Sequence, residues 1–417
     1  MRQGKPYDIP KSFVWESYKA VRENKGSAGY DGQTMAMFDE NRDQNLYKIW
    51  NRLSSGSYFP PPVLKQEIPK GDGRMRVLGI PTVADRIAQG TVKLVLERKL
   101  EPLFHPDSYG YRVNRSAHDA LEAVRQRLWK YDWVVEVDIE AFFDSVSHEL
   151  IQKALRFHRV PDWVILYAKR WLEAGMIDRH GVTEVREKGT PQGGVVSPVL
   201  ANLFLHHGMD DWMRRHYPEI PFARYADDAV LHCRTPGEAE RIKRALAKRM
   251  EEIGLRLHPK KTRTVYVGPS KVNIAGMGTE FTFLGYDFKR RVLRRKDGVL
   301  FYRIYPGAST KALKAMTREI RDWRIHRSTG MTIQKIAQKY NAILRGWINY
   351  YGRYWYRHFG YRLWSSFQSR LVRWCKNRYR INQRRAEARL RKIRKENSNL
   401  FAHWQLLGKK EGCSRAV

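Results

Sequence analysis

The chain has 417 residues, of which 42% are hydrophobic and 12% aromatic, enough for two or three domains with real cores. The formal net charge is +35, and because basic residues occur along the whole chain they favour a nucleic acid over an anionic membrane surface as the partner. The sequence contains neither an apolar run of membrane-spanning length nor, in Met1–Pro10, the apolar core of a signal peptide. Three widely separated cysteines (Cys233, Cys375 and Cys413) are typical of free thiols in a reducing cytosol, so the expected location is cytoplasmic.

The first 60 residues are polar with a helical period, and the Pro-rich stretch 58–62 ends them. An alternating pattern then predicts a β-hairpin from Val63 to Leu78 with Lys70–Gly73 at its tip. A helix is predicted over about Val83–Leu100. A strand over 133–139 carries an aspartate, Asp138, near its end.

Further elements follow in the same part of the chain. Ser197 and Pro198 predict a helix start, with Ser197 as the N-cap and Pro198 at the first helical position. The other predicted elements are a helix at 148–157, a tight loop at 189–194, a strand–turn–strand at 222–232, a helix at 238–253 and a last β pair at 264–288. This succession predicts an α+β fold with a helix-rich cover over a small antiparallel sheet.

The composition changes after about residue 308. Residues 310–395 are aromatic, strongly basic and predicted to be helical, with Trp347, Tyr351 and Tyr354 spaced for one helix face. From Arg370 to Lys395 there are twelve Lys or Arg and one acid, Glu387, which favours an RNA-facing surface over a salt-bridged one. We therefore expect three regions: residues 1–60, 61–305 and 306–417.

Three aspartates lie at the ends or turns of predicted strands: Asp138, Asp227 and Asp228. Adjacent carboxylates repel each other, and a divalent cation relieves that repulsion. A polar turn is the simpler interpretation of Asp227 and Asp228. Their apolar flanking strands and the separate upstream Asp138 favour a site for Mg²⁺, which binds carboxylates together with substrate phosphates.

Several strings occur together and in one order. They are Lys25–Gly32, Ile68–Arg86, Ser108–Arg112, Val137–His148, Gly189–Gly194 with Ser197–Asn202, Arg224–Asp228, and Phe283–Tyr286. On these strings, from about residue 12 to 405, the chain resembles the reverse transcriptase–maturase proteins encoded by bacterial group II introns. The resemblance implies a right-hand polymerase fold with fingers and palm, followed by an all-helical thumb and maturase domain.

The resemblance also implies the chemistry of the site. It assigns the metal ligands to Asp138, the backbone carbonyl of Ile139, Asp227 and Asp228, with two Mg²⁺ ions and Mn²⁺ as a substitute. Phe143 falls at the aromatic gate that excludes a ribose 2′-hydroxyl, so dNTPs are the expected substrate. A core phenylalanine is the other interpretation, and it better fits Phe142.

The incoming nucleotide has further implied contacts. Lys70 and Arg76 match residues that hold the triphosphate, although a solvated basic hairpin is the simpler interpretation. Gln192 matches a glutamine beside the nascent base pair. Lys261 is the candidate for protonating pyrophosphate, with the adjacent Lys260 as an alternative.

Other residues of these strings are implied to contact nucleic acid. Phe283, Gly285 and Tyr286 resemble a primer grip, for which an ordinary strand turn is the alternative. The remaining implied contacts are Arg86, Arg112, Tyr225, Arg345, Arg353 and Arg373.

The expected partners are an RNA template, by resemblance the parent group II intron RNA, together with a DNA primer and dNTPs, and no membrane. The expected activity is RNA-directed DNA synthesis with assistance to intron splicing and mobility. Two alternatives remain: a splicing-only maturase, and a host-co-opted enzyme in phage defence or DNA repair. The paired cysteines of the family's C-terminal endonuclease are missing, so we expect no cleavage of target DNA. Oligomeric state stays open.

Overall fold

The computed structural model describes residues 5–69, 75–184, 186–268, 278–295 and 297–407. The chain forms two compact units. The first unit contains Met1–Ala120 and Val135–Arg263, and the second contains Leu121–Val134 and Thr264–Val417. Each unit is therefore built from two separate stretches of the sequence.

Helices outnumber strands in the first unit. Its described helices are α1 (Lys11–Glu23), α2 (Met35–Glu40), α3 (Arg42–Ser54), α4 (Val83–Leu100), α6 (Phe142–Ser145), α7 (His148–Phe157), α8 (Asp162–Glu173), α9 (Ser197–Leu205), α10 (Asp211–His216) and α11 (Pro236–Glu252). Helix α5 (Ala117–Arg127) begins in the first unit and ends in the second. A π-helical turn, His206–Asp210, joins α9 to α10.

Two four-stranded sheets contain the strands of the first unit. The strands are β1 (Val63–Pro69), β2 (Met75–Ile80), β3 (Trp133–Asp138), β4 (Met176–Ile177), β5 (Thr183–Glu184), β6 (Phe222–Tyr225), β7 (Asp228–Cys233) and β8 (Arg263–Tyr266). One sheet has the order β2-β1-β4-β5, and the other has the order β6-β7-β3-β8. Strand β7 is thereby the neighbour of β3. The electrostatic interaction of Asp227 and Asp228 with Asp138 indicates that the β6–β7 turn lies near the end of β3.

Local sequence accounts for several of these boundaries. Helix α4 begins after Thr82, whose side chain accepts a hydrogen bond from the backbone N–H of Asp85 as an N-cap. The predicted helices at Val83–Leu100 and 148–157 are confirmed. The prediction that Ser197 caps α9 is wrong, because Ser197 is already helical and its hydroxyl accepts a hydrogen bond from Thr190 at 2.8 Å.

The second unit combines a three-stranded sheet with a helical region. Its strands, in the order β11-β10-β9, are β9 (Phe281–Phe283), β10 (Tyr286–Arg294) and β11 (Leu300–Ala308). Its further helices are α12 (Thr310–Asp322), α13 (Ile333–Tyr351), α14 (Tyr356–Tyr379) and α15 (Gln383–Glu396), with short 3-10 segments at Ile325–Arg327 and Ala402–Leu407. The helices pack around one core that includes Leu344, Phe367 and Trp374.

The α+β class with a helical C-terminal region is confirmed. Two details of the sequence prediction are wrong. The last β pair does not end at 288, because β10 and β11 form a hairpin that continues to Ala308. Tyr354 does not share a helix face with Trp347 and Tyr351, because α13 ends at Tyr351. No helix among the described residues has the length and apolar character needed to cross a bilayer.

Candidate active site

The three aspartates predicted to form the site lie on one sheet, which has the order β6-β7-β3-β8. Asp138 is the last residue of β3, Asp227 lies in the tight turn between β6 and β7, and Asp228 begins β7 opposite Tyr225. Ala226 adopts a left-handed conformation (φ 57°) in that turn, which is unusual for a residue with a side chain. The turn therefore places two consecutive carboxylates next to the end of β3.

Electrostatics show that these carboxylates share one crowded environment. Burial raises the pKa of Asp227, and the neighbouring Asp138 carboxylate raises it further. Desolvation raises the pKa of Asp228 to about 7, with added repulsion from Asp227 and Asp138. The Asp228 side chain is exposed at the surface, but the surrounding protein displaces much of the nearby water. Repulsion among the three acids adds to the cost of charging them.

Lys261 supplies part of that charge. Its ammonium lies 3.1 and 3.0 Å from the two carboxylate oxygens of Asp138. The backbone around Asp138 is fixed as well, because its carbonyl accepts a hydrogen bond from the N–H of His258 at 2.8 Å. Ile139, the next residue, is buried and forms an isolated bridge with Leu257.

The donor set fits an open metal site rather than a closed one. Among the described residues, no group of three or more His, Cys, Asp or Glu is arranged to hold a metal ion on its own. Mg²⁺ is ordinarily held by one or two carboxylates with substrate phosphates and water, so such a closed group is unnecessary. Burial and repulsion between the carboxylates raise the pKa of Asp227 and of Asp228, and a divalent cation would stabilise both groups in their charged form.

Arg224 anchors the turn from beneath, and sequence reasoning assigned it no role. Its side chain is fully buried and forms a bidentate ion pair with Asp210 at 2.7 and 2.6 Å. The same guanidinium donates to the carbonyl of Ala226 at 2.9 Å, to Ser108 at 2.8 Å and to Asn202 at 3.1 Å. All five donors are thus satisfied, and one of them holds the residue with positive φ.

The backbone of Gly110 packs closely against the same β6–β7 turn. A Cβ at this position would overlap the backbone nitrogen of Ala226 and lie 3.0 Å from the carbonyl carbon of Tyr225. The carbonyl of Gly110 accepts a hydrogen bond from Asn202 at 2.7 Å. Only glycine permits this approach of two backbones.

Arg76 and Tyr111 also lie near the acids. The positive charge of Arg76, an exposed residue of β2, lowers the pKa of Asp227 against the effect of burial. Burial and the charge of Asp227 raise the pKa of Tyr111. Lys70, the other predicted triphosphate contact, lies outside the described residues.

Phe143 and Gln192 are joined through the loop at 189–194. Phe142 is 2% exposed and belongs to the core, whereas Phe143 is only half-buried. The carbonyl of Phe143 accepts a hydrogen bond from Thr190 at 2.7 Å, and the carbonyl of Gln192 accepts one from Gly79 of β2 at 2.8 Å. The loop therefore bridges the Phe143 turn to the strand that carries Arg76.

Gln89 of α4 fixes this loop and was also missed. Its side-chain oxygen accepts hydrogen bonds from the N–H groups of Val195 and Val196 at 2.7 and 3.2 Å, and its amide donates to buried Asp85 at 2.9 Å. A glutamine within a largely buried helix gave no signal in the sequence, because its loop partners lie 106 and 107 residues further along the chain.

Three further predicted nucleic-acid contacts belong to the first unit. Tyr225 is half-buried next to the turn. Arg86 donates to the carbonyls of Ser27 and of Pro81, the latter at 3.0 Å. The side chain of Arg112 is 5% exposed and paired with Glu101 at 2.8 Å. The predicted nucleic-acid contact for Arg112 is therefore corrected to a structural ion pair, since its donors face the protein.

The predicted primer-grip residues belong to the second unit. Phe283 and Tyr286 are 3% and 0% exposed, and the Tyr286 hydroxyl donates to the carbonyl of Tyr350. Their side chains therefore stabilise the core, which corrects the expectation of direct contact. Gly285 occupies a left-handed turn (φ 75°), and a side chain there would meet the Tyr351 hydroxyl. Arg345, Arg353 and Arg373 are exposed.

Comparisons with known families match this arrangement. The profile of the reverse transcriptase (RNA-dependent DNA polymerase) family matches residues 68–288, which include all three aspartates. The profile of the group II intron maturase-specific domain matches residues 313–393, which lie in the helical region.

Individual proteins are similar over different lengths. Protein YkfC of Escherichia coli (strain K12) is 31% identical over 68% of this chain and 81% of its own. The group II intron-encoded protein LtrA of Lactococcus lactis is 32% identical over 48% of this chain, and this chain spans only 33% of LtrA. The putative COX1/OXI3 intron 1 protein of Saccharomyces cerevisiae is 30% identical over 47% of this chain and 23% of its own. Among solved structures, telomerase from Candida albicans aligns over 90% of this chain and 68% of its own, with a TM-score of 0.46 and 12% identity.

Proposed function

This chain belongs to the reverse transcriptase family and carries the maturase-specific domain of group II intron proteins, and from that premise we propose how it copies RNA into DNA. The observation that carries the proposal is the placement of Asp138 at the end of β3 and of Asp227 and Asp228 at the β6–β7 turn of the same sheet. Burial and repulsion from Asp138 raise the pKa of both turn carboxylates. Members of this family are divalent-metal dependent. The proposed cofactor is Mg²⁺, two ions of it, with Mn²⁺ as a substitute.

The proposed ligands are the carboxylates of Asp138, Asp227 and Asp228, with the backbone carbonyl of Ile139. Mg²⁺ held by these residues would supply Lewis-acid activation of a primer 3′-hydroxyl and stabilisation of the charge on the leaving pyrophosphate. The rigid turn contributes preorganisation, because Arg224 fixes the Ala226 carbonyl before any substrate arrives. Asp227 and Asp228 are thus held in place at little reorganisation cost.

Positively charged and aromatic groups around the acids would receive the deoxynucleotide. We assign the triphosphate to Arg76 and Lys70, because a guanidinium and an ammonium both suit phosphate oxygens. Phe143 is assigned to exclusion of a ribose 2′-hydroxyl, and Gln192 to the nascent base pair. The support is that the loop of Gln192 is hydrogen-bonded both to Phe143 and to β2.

Lys261 is assigned to the leaving group. Its ammonium is within 3.1 Å of Asp138, so it already lies beside one proposed metal ligand. A proton held at Nζ of Lys261 would neutralise pyrophosphate as it departs. Lys260 remains the alternative donor.

We assign the three regions of the chain the roles that they have in the reverse transcriptase–maturase family. Residues 61–305 would act as fingers and palm, after an extension at 1–60, and residues 306–417 as thumb and maturase domain. Exposed Arg345, Arg353 and Arg373 would contact RNA. The proposed RNA is a group II intron transcript, paired with a DNA primer during synthesis.

Primer extension tests the polymerase proposal. Purified protein, a DNA primer annealed to an RNA template and dNTPs should give extended products with Mg²⁺ and none in excess EDTA. Restoring Mg²⁺ should restore synthesis. Absence of extension on RNA, or extension that persists in EDTA, would contradict the proposal.

The maturase match over residues 313–393 favours a second function, assistance to intron splicing. An Asp228→Asn variant should lose DNA synthesis while still promoting splicing of a cognate intron RNA at low Mg²⁺, because RNA binding does not need the carboxylate. Splicing that is not accelerated by wild-type protein would exclude this role. It would leave the polymerase proposal intact.

A further inference from the structure

Most of the β10–β11 hairpin lies outside the two segments that match family profiles, which include only its first residues. The reverse transcriptase match ends at residue 288 and the maturase match begins at residue 313. Between them the two strands pair in continuous antiparallel register from Tyr286 opposite Ala308 to Arg294 opposite Leu300. Neither match therefore assigns a role to the outer half of the hairpin.

One face of this hairpin is packed within the second unit. Leu293 is 3% exposed, and the Phe301 ring lies 6.3 Å from that of Trp129. Arg303 lies 4.6 Å from the Trp129 ring centre and donates to the carbonyl of Leu128 at 2.9 Å. These contacts hold the hairpin as a fixed support.

The opposite face is open along the outer half of the hairpin. Tyr302 is 57% exposed, and its cross-strand neighbour Val292 is 42% exposed. Leu300 is 66% exposed at the next pair outward on this face, opposite Arg294. A single exposed apolar residue needs no explanation, but adjacent ones on one rigid face mark an interaction surface.

Arginines flank the exposed ring. Arg290 and Arg294 lie on the same strand face four residues apart, about 13 Å along the strand. Tyr302 is paired with Val292, midway between them. The Arg290 guanidinium lies 4.9 Å from the Tyr302 ring centre, which orients the ring while leaving it accessible.

We propose that this face, formed by Arg290, Val292, Arg294, Leu300 and Tyr302, binds single-stranded nucleic acid. Tyr302 stacks on one unpaired base, and the two arginines contact the phosphates on either side of it. Single-stranded binding sites combine these elements, an aromatic ring and flanking cations. The five residues include no acid, so an anionic ligand is favoured and a second copy of the face would be repelled.

The test is fluorescence anisotropy of labelled oligouridylate and oligothymidylate, with the full chain, in EDTA and without dNTPs. Under these conditions a failure of the proposed polymerase chemistry leaves the measurement unaffected. Tyr302→Ala should weaken binding about fivefold or more without changing the salt dependence, and Tyr302→Phe should bind like the wild type. Arg290→Gln with Arg294→Gln should reduce the slope of log K against log salt by about 1.4.

Two controls separate stacking from general damage. Phe157→Ala removes another exposed ring, 71% exposed on α7, and should leave binding unchanged. An abasic oligonucleotide should bind wild type and Tyr302→Ala equally well, and thermal unfolding confirms that each variant is folded. Unchanged binding by Tyr302→Ala, or an equal loss on the abasic strand, would overturn the proposal. Polyglutamate is the competing ligand in the same assay. If it bound the wild type as tightly as the oligonucleotide and bound Tyr302→Ala more weakly, the proposal would be overturned, because that result would identify an acidic protein as the ligand.

Discussion

Arg224 and Asp210 form a fully buried ion pair next to the β6–β7 turn. An ion pair in this position is poor evidence for stability, because desolvation offsets the attraction between the charges. Its function is better explained by geometry, since Arg224 also holds the Ala226 carbonyl. The pair would therefore set the direction of Asp227 and Asp228.

Arg224→Met should destabilise the first unit by about 3–5 kcal/mol, because Asp210 is left buried without its charged partner. The double variant Arg224→Met with Asp210→Leu should regain most of that stability in urea unfolding. It should not regain primer extension, because the Ala226 carbonyl stays unheld. Recovery of both properties would mean that the pair serves stability alone.

The proposed role of Phe143 in sugar selection can also be tested with a single substitution. Phe143→Ala should raise incorporation of rNTPs relative to dNTPs by at least about tenfold in kcat/KM, since space opens beside the sugar. The matched control is Phe142→Leu, in the core position next to it, which should lower stability by about 1 kcal/mol and leave sugar selection unchanged. If Phe143→Ala selected dNTPs over rNTPs as strongly as the wild type does, the proposed role of Phe143 would be wrong.

Individual site residues differed in how far the sequence could predict them. Asp138, Asp227 and Asp228 were recognisable because strand ends and a tight turn carry them. Arg224 stands in the same string as Asp227, yet its role depends on Asp210 in a π-helical turn, which no local pattern marks. The role of Gln89 could not be predicted for the same reason. Arg112 was wrongly assigned to nucleic acid because its ion pair with Glu101 forms only in the folded chain.

Among the elements, strands β6 and β7 flank the turn that contains Asp227, and the loop containing Gly110 packs against it. The backbone at Gly110 accepts a hydrogen bond from Asn202 of α9, and its missing Cβ leaves room for Ala226. Three separate segments are therefore closed around one turn. A small displacement of any of these segments should therefore lower the rate of primer extension.

Gly110→Ala should reduce primer extension by about 100-fold, because the added methyl group forces the turn away from its position. Gly237→Ala is the matched control: no atom lies within 4 Å of the added Cβ, and the residue is in the first turn of α11. That substitution should leave extension unchanged and stability equal or slightly higher. Equal activity in both variants would show that the turn tolerates displacement.

The elements that sequence predicted best are those with simple periodicity and clear boundaries. Val83–Leu100 has a Thr82 cap and a continuous buried face, so its ends were predictable. The β10–β11 hairpin was missed because arginines occupy both faces: Arg291 is 9% exposed while Arg290 is exposed. Burial of a long cationic side chain against Trp355 removed the apolar alternation that marks a strand.

For the whole molecule, charge and architecture agree. A net charge of +35 on 417 residues favours an anionic partner, and the reverse transcriptase family assignment implies binding of an RNA template. Composition predicted the class of partner correctly. The division into two units could not be predicted, because residues 121–134 join the second unit through contacts with sequence-distant strands.

Primer extension on an RNA template by Asp228→Asn protein tests whether these carboxylates form the active site. Without this carboxylate, extension should fall below detection while oligonucleotide binding and thermal stability remain near those of the wild type. Asp322→Asn, on an exposed face of α12 with 63% of its side chain accessible, should extend normally. Extension by Asp228→Asn at the wild-type rate would contradict the proposed site.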